Sequence, residues 1–161
     1  MYRSVYEHQA PLIQFLNSLS IPVPAALKSA AEMAINVQLR MAIERAELDP
    51  NSIAGYLKEA ANSHVDLDTT TLEFVIRQRL EREANEFALQ PEKIEIVQKL
   101  NKVLHVISSL PFPVVIWEAQ NLSYQPIKNV LQGMNGNGHG DLLAAYHREI
   151  VELSENLRIH T

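Results

Sequence analysis

The chain has 161 residues, a formal net charge of −5 at pH 7, 47% hydrophobic residues and 20% charged residues. This composition is typical of one soluble globular domain large enough to bury a core. The acidic charge argues against a nucleic-acid partner or a basic membrane-surface helix, because both need clustered Lys and Arg. The chain has no cysteine, which excludes disulfides and thiolate metal sites.

The N-terminal sequence "MYRSVYEHQAPLIQFL" interrupts its apolar residues with Glu7, His8 and Gln9. It therefore lacks the continuous apolar stretch of a signal peptide. No apolar run approaches the roughly 18–20 residues that a membrane span requires. We expect a cytoplasmic protein without a membrane partner.

Apolar residues recur at spacings of three and four along most of the chain, whereas alternation at period two is not sustained. This periodicity is typical of amphipathic helices. The predicted helices lie near residues 4–19, 24–46, 50–63, 69–89, 91–110, 113–132 and 141–158. We expect an all-α bundle of about seven helices that forms a single domain over residues 1–161.

Prolines and capping residues mark the predicted helix starts. The prolines that stand at or just before a helix are Pro24, Pro50, Pro91 and Pro113. Proline is tolerated there because its missing N–H would have no helical partner. Asp49 and Asp141 are predicted N-caps, and Thr70 with Glu73 has the spacing of a capping box. Pro126 would split the sixth helix if a new helix began there.

The core is predicted from the aliphatic stripes of three helices, whose members recur at three and four. These residues are Leu72, Val75, Ile76, Leu80, Ala84 and Phe87; then Val97, Leu100, Val103, Leu104, Ile107 and Leu110; and finally Tyr146, Ile150, Leu153 and Leu157.

Residues 133–141, "GMNGNGHGD", precede the last helix and are rich in glycine. A glycine-rich turn before a helix can cradle a phosphate. Here no strand precedes the turn, no Walker lysine follows it, and Asp141 would repel an anion. We therefore expect a flexible hinge.

Metal and nucleophile patterns are weak. Helical metal sites use Glu-x-x-His or paired histidines on one face, and none of the six histidines has such a neighbour: His8, His64, His105, His139, His147 and His160. Ser108 and Ser109 follow His105, but no nucleophile elbow is present. We predict no catalytic residue, no metal and no cofactor.

The segment 77–86, "RQRLEREANE", places opposite charges four residues apart. The predicted pairs are Arg77–Glu81, Arg79–Glu83 and Arg82–Glu86. Such pairs usually lie on a solvated helix face, and we expect a solvated surface rather than a site.

The sixth helix carries the chain's one tryptophan, Trp117, which is followed by Glu118, Gln120, Asn121 and Tyr124. Spacings of three, four and seven place most of these side chains on one face. Three interpretations are open: a Trp anchored in the core of the bundle, an interdomain or intersubunit contact, and a carbohydrate site in which the rings stack and the amides bind hydroxyls. Packing against the bundle or a docked domain is favoured.

The segment "LPFPVVIWEAQNLSY" resembles the "lplelnLWeaQN" signature of a helical domain of unknown function. That domain follows the catalytic barrel in a branch of glycoside hydrolase family 57, the α-amylase/α-mannosidase-like proteins. Two upstream segments, "IPVPAALKSAAEMAINVQLRMAIE" and "VDLDTTTLEFVIRQRLEREANEF", are similar to its helical pattern. The resemblance covers roughly residues 20–125, and only the Trp-centred motif is specific.

The resemblance implies a non-catalytic accessory domain that supports a separate catalytic barrel. The chain has no alternation of strands and helices, so it cannot contain the barrel. Trp117, Glu118, Gln120 and Asn121 match the motif, and no catalytic residue is carried over. Possible partners are the barrel of the parent enzyme, a second copy of the chain in a homo-oligomer, and an oligosaccharide.

Overall fold

The computed structural model describes residues 10–13, 15–16, 18–133 and 141–159, which contain helices and no strand. Helix α1 contributes residues 10–13, 15–16 and 18, and the others are α2 (Ala25–Glu44), α3 (Pro50–Asn62), α4 (Thr69–Leu89), α5 (Ile94–Ser109), α6 (Trp117–Gly133) and α7 (Asp141–Asn156). The predicted all-α class is confirmed. Within the described part of the chain, no helix is long and apolar enough to cross a bilayer.

One helix begins at its proline as predicted, whereas two others begin several residues after theirs. Helix α3 begins at Pro50 as expected, with the side chain of Asp49 accepting the Asn51 N–H at 3.0 Å. By contrast, Pro91 lies in a turn before α5, and Pro113 lies in an irregular segment before α6. Pro126 lies inside α6 without splitting it.

The chain divides into two compact units, Met1–Leu72 and Glu73–Thr161. The boundary falls within α4, between Leu72 and Glu73. The prediction of a single domain stays a prediction.

In the first unit, α2 packs against α3. The buried side chains at their contact are aliphatic: Ala31, Ile35, Leu39, Ile43 and Ile53. The loop that leads to α4 is fixed by Asn36, whose amide donates to the Asp66 carbonyl at 3.0 Å and accepts the Asp68 N–H at 2.8 Å. Lys28 adds an ion pair to Asp66 at 3.0 Å.

The capping box predicted from Thr70 and Glu73 is wrong. Asp68 caps α4, because its carboxylate accepts the Thr71 N–H at 3.1 Å and its carbonyl accepts the Leu72 N–H at 3.0 Å. Asn36 holds the Asp68 backbone in the position that this capping requires. The carboxylate of Glu73 is therefore free to reach another segment.

Replacing Asp68 with alanine should lower the free energy of unfolding by about 0.5–2 kcal/mol at neutral pH, as loss of an N-cap does. Thr70→Ala, the matched control at the position first expected to cap, should change it by less than about 0.5 kcal/mol. Urea unfolding of both variants checks the assignment. An equal loss of unfolding free energy in the two variants would contradict the assignment of Asp68 as the N-cap in place of Thr70.

The capping contribution of Asp68 also depends on pH. Hydrogen bonds from Thr71 lower the pKa of Asp68 below its usual value of 3.8. Because the folded pKa lies below the unfolded one, the contribution is complete above the unfolded pKa and disappears as the pH falls through the folded pKa. The difference in stability between the native protein and Asp68→Ala should therefore shrink in acid.

In the second unit, α7 packs against α5 and α6. The predicted stripes are largely buried, and the side chains with no exposed surface include Ile76, Leu80, Ala84, Phe87, Val97, Leu100, Val103, Ile150, Leu153 and Leu157. Asn101 links two of the helices, because its amide donates to the backbone carbonyl and the carboxylate of Glu149, both at 3.0 Å. The Tyr146 hydroxyl donates to the Pro91 carbonyl, and burial raises the pKa of Tyr146.

The expectation of a fully solvated charge run on α4 is wrong for one pair. The side chains of Arg79 and Glu83 are 5% and 6% exposed, with 3.7 Å between Nε and Oε1. Arg79 lies three residues after Ile76, and Glu83 lies three residues after Leu80, both of which are buried. Residues three apart share one face of a helix, so both charged side chains lie at the buried face. Burial lowers the pKa of Arg79. Arg82 binds Glu83 at 3.3 Å instead of Glu86.

Candidate docking surface on helix α6

Helix α6 has one buried face and one open face. The buried side chains, all with no exposed surface, are Ala119, Ser123 and Ile127. The residues singled out in the sequence, which we call the α6 stripe, lie on the open face and at its edge: Trp117, Asn121 and Tyr124 are exposed, and Gln120 is half-buried. The helical spacing predicted for these residues is confirmed because α6 is continuous from Trp117 to Gly133.

Trp117 is not a core residue. It is the first residue of α6 and is 64% exposed, so the interpretation of Trp117 as a core anchor within this chain is wrong. The physical reason is the choice of the packed face. Ala119, Ser123 and Ile127 occupy that face, and Trp117 precedes Ala119 by two residues, a little over half a helical turn, so it lies on the opposite side.

The polar residues of the α6 stripe behave differently from one another. Gln120 is half-buried and donates from Nε2 to the Leu157 carbonyl at 2.7 Å, so it satisfies a backbone group at the end of α7. Glu118 and Asn121 are exposed. Tyr124 is 43% exposed, with the Lys128 ammonium 5.9 Å from its ring centre. Gln120 therefore holds the helix, while the others face solvent.

Other apolar side chains are exposed near the start of α6. Val115 is 62% exposed, and its N–H lies 3.4 Å from a carboxylate oxygen of Glu73. Phe74, which is adjacent to Glu73 on α4, is 47% exposed, with the Arg77 guanidinium 5.6 Å from its ring centre. The second unit thus presents aromatic and aliphatic side chains from α4 and from the start of α6.

Sequence reasoning missed Phe74, Arg77 and Val115. The available signal was that Phe74 falls outside the aliphatic stripe of α4, where a large aromatic residue has no core position to fill. Arg77 was assigned to the solvated charge run. Its ion pair with Glu81 at 3.3 Å is confirmed, but its stacking on Phe74 could not be read from charge spacing.

The serines that follow His105 in the sequence are engaged with backbone carbonyls. The hydroxyls of Ser108 and Ser109 donate at 2.7 Å to the backbone carbonyls of His105 and Val106, rather than to the His105 imidazole. Within the described ranges, no three His, Asp or Glu residues are grouped so that they could hold a metal ion. Most of the predicted hinge, residues 134–140, lies outside the described residues.

No family model matches the chain, and neither a curated protein nor a solved structure is significantly similar to it. The relation to glycoside hydrolase family 57 therefore stays a prediction based on the Trp-centred motif.

Proposed function

We propose that this chain is a non-catalytic helical accessory domain that docks through the α6 stripe onto a separate catalytic barrel of a family 57-like glycoside hydrolase. One observation carries the proposal: the only tryptophan of the chain is 64% exposed. The family resemblance supplies the identity of the partner. A cytoplasmic location and the lack of a nucleic-acid partner accompany the proposal as predictions.

The exposure of Trp117 favours a protein contact because tryptophan is usually well buried and dominates protein interfaces. Tyr124 lies seven residues later on the same helix face, about 10 Å away at the rise of an α-helix. Two aromatic side chains at this distance, with a polar rim of Glu118 and Asn121, match the organisation of an interface with an apolar centre. A second copy of the chain is the competing protein partner.

Carbohydrate binding is the second candidate function, and the exposure of Asn121 beside Trp117 favours it. An aromatic ring offers a flat face for sugar C–H groups, and an amide offers both a donor and an acceptor for hydroxyls. The half-buried Gln120 contributes less, because its Nε2 already donates to the Leu157 carbonyl.

Replacing Trp117 with alanine should abolish association with the barrel while the free energy of unfolding changes by less than about 1 kcal/mol, because the side chain is largely solvated. Association is measured by analytical ultracentrifugation with the purified catalytic barrel of a family 57 α-amylase/α-mannosidase-like protein. Leu89→Ala is the matched control, because Leu89 is 72% exposed but lies at the far end of α4.

Carbohydrate binding and homo-oligomerisation predict different results for the native chain and Trp117→Ala. Titration with maltooligosaccharides or mannooligosaccharides should leave the Trp117 fluorescence unchanged. A saturable shift at millimolar sugar or below, abolished in Trp117→Ala, would assign the stripe to carbohydrate binding. Self-association of the chain that Trp117→Ala disrupts would assign it to a homo-oligomer.

A further inference from the structure

The segment 110–116 between α5 and α6 has few backbone donors. Pro111 and Pro113 lack an N–H group, and the Leu110 N–H is used by the Ile107 carbonyl at the end of α5. The N–H of Val115 donates to Glu73 Oε1 at 3.4 Å. This contact connects the segment to α4, and Val115 precedes Trp117 by only two residues.

The acceptor oxygen of Glu73 is itself held in place. Arg77 Nε donates to the same Oε1 at 3.1 Å, and Arg77 Nη1 donates to Glu81 at 3.3 Å. The guanidinium also stacks on Phe74 at 5.6 Å. Because Arg77 contacts three side chains of its own helix, it has little freedom to move, and the Glu73 carboxylate that it binds stays directed at Val115.

We propose that Glu73 is a positioning residue for the α6 stripe, which orients Trp117 by binding the Val115 N–H. The acceptor is a carboxylate, and the N···O distance of 3.4 Å places the contact at the weak end of charge-assisted hydrogen bonds. The importance of this orientation for partner binding rests on the proposed function. The contact itself belongs to the free protein, where it can be tested alone.

Hydrogen exchange and fluorescence of the free full chain test the proposal. In Glu73→Ala, the Val115 amide should exchange roughly two- to tenfold faster, the change expected from one lost hydrogen bond, and the fluorescence anisotropy of Trp117 should fall. Glu73→Gln should restore most of both signals, because the amide oxygen can still accept the N–H. Glu81→Ala is the matched control: it also removes a carboxylate partner of Arg77 but leaves the Glu73 acceptor of Val115 in place, so it should change both signals less.

Unchanged exchange at Val115 in Glu73→Ala would overturn the proposal, as would an equal change in Glu81→Ala. Urea unfolding should give similar midpoints for the two alanine variants, so the local signals are separable from a general loss of stability. If Val115 and Trp117 respond as expected but the native chain binds no barrel, the proposed function fails while the role of Glu73 stands.

Discussion

Leu100→Ala is expected to lower the free energy of unfolding by about 2–5 kcal/mol, the range for truncating a buried leucine. Leu100 lies in the middle of α5 and has no exposed surface. Removing three side-chain carbons there loses transfer free energy and leaves a cavity that the packed α7 can only partly fill. Equilibrium unfolding in urea measures the loss.

The matched control is Leu89→Ala, which makes the same chemical change at a side chain that is 72% exposed. It should change the free energy of unfolding by less than about 0.5 kcal/mol. Equal losses at the two positions would show that the buried face of α5 has been assigned incorrectly.

Arg79→Leu is the second substitution with a large expected effect, a loss of about 3–5 kcal/mol, typical of breaking a buried ion pair from one side. Glu83 would keep its charge in a site where its side chain is 6% exposed. The cation that remains, Arg82, is 64% exposed and donates to the same Glu83 oxygen at 3.3 Å, closer than the 3.7 Å of Arg79. It therefore offsets part of the loss, and we expect a value at the lower end of this range.

The double variant Arg79→Leu/Glu83→Leu separates the charge effect from packing. With both charges replaced by apolar side chains, no ion remains buried, and the double variant should be more stable than Arg79→Leu alone. If the double variant is less stable than Arg79→Leu, the two side chains contribute mainly through contacts other than their ion pair.

The fold was predictable where a single local rule decides the structure. The aliphatic stripes of α4, α5 and α7 identified the buried faces because apolar residues at spacings of three and four can be buried together only on a helix. The start of α3 followed from Asp49 and Pro50, which act within one turn. The cap of α4 was missed because Asp68 is positioned by Asn36, which lies 32 residues earlier in the chain.

The sequence predicted which residues of α6 share one face, but it did not predict whether that face is buried or exposed. Helical spacing placed Trp117 and Tyr124 on one face, yet periodicity cannot say which face of α6 packs inward. That choice was decided by Ala119, Ser123 and Ile127, which are small or aliphatic and fill the contact. The burial of Arg79 and Glu83 was missed because charge spacing alone does not distinguish a solvated pair from a buried one.

Photo-crosslinking from position 121 tests the central claim most directly, because it leaves Trp117 in place. A benzophenone amino acid replaces Asn121, which is exposed beside Trp117 in the α6 stripe, and a control variant carries it at Lys102, which is exposed on α5. After irradiation in cells that make the native protein, position 121 should crosslink to the catalytic barrel of a glycoside hydrolase, and position 102 should not. Crosslinks from position 121 to no protein, or to the same proteins as position 102, would contradict a docking role for the α6 stripe.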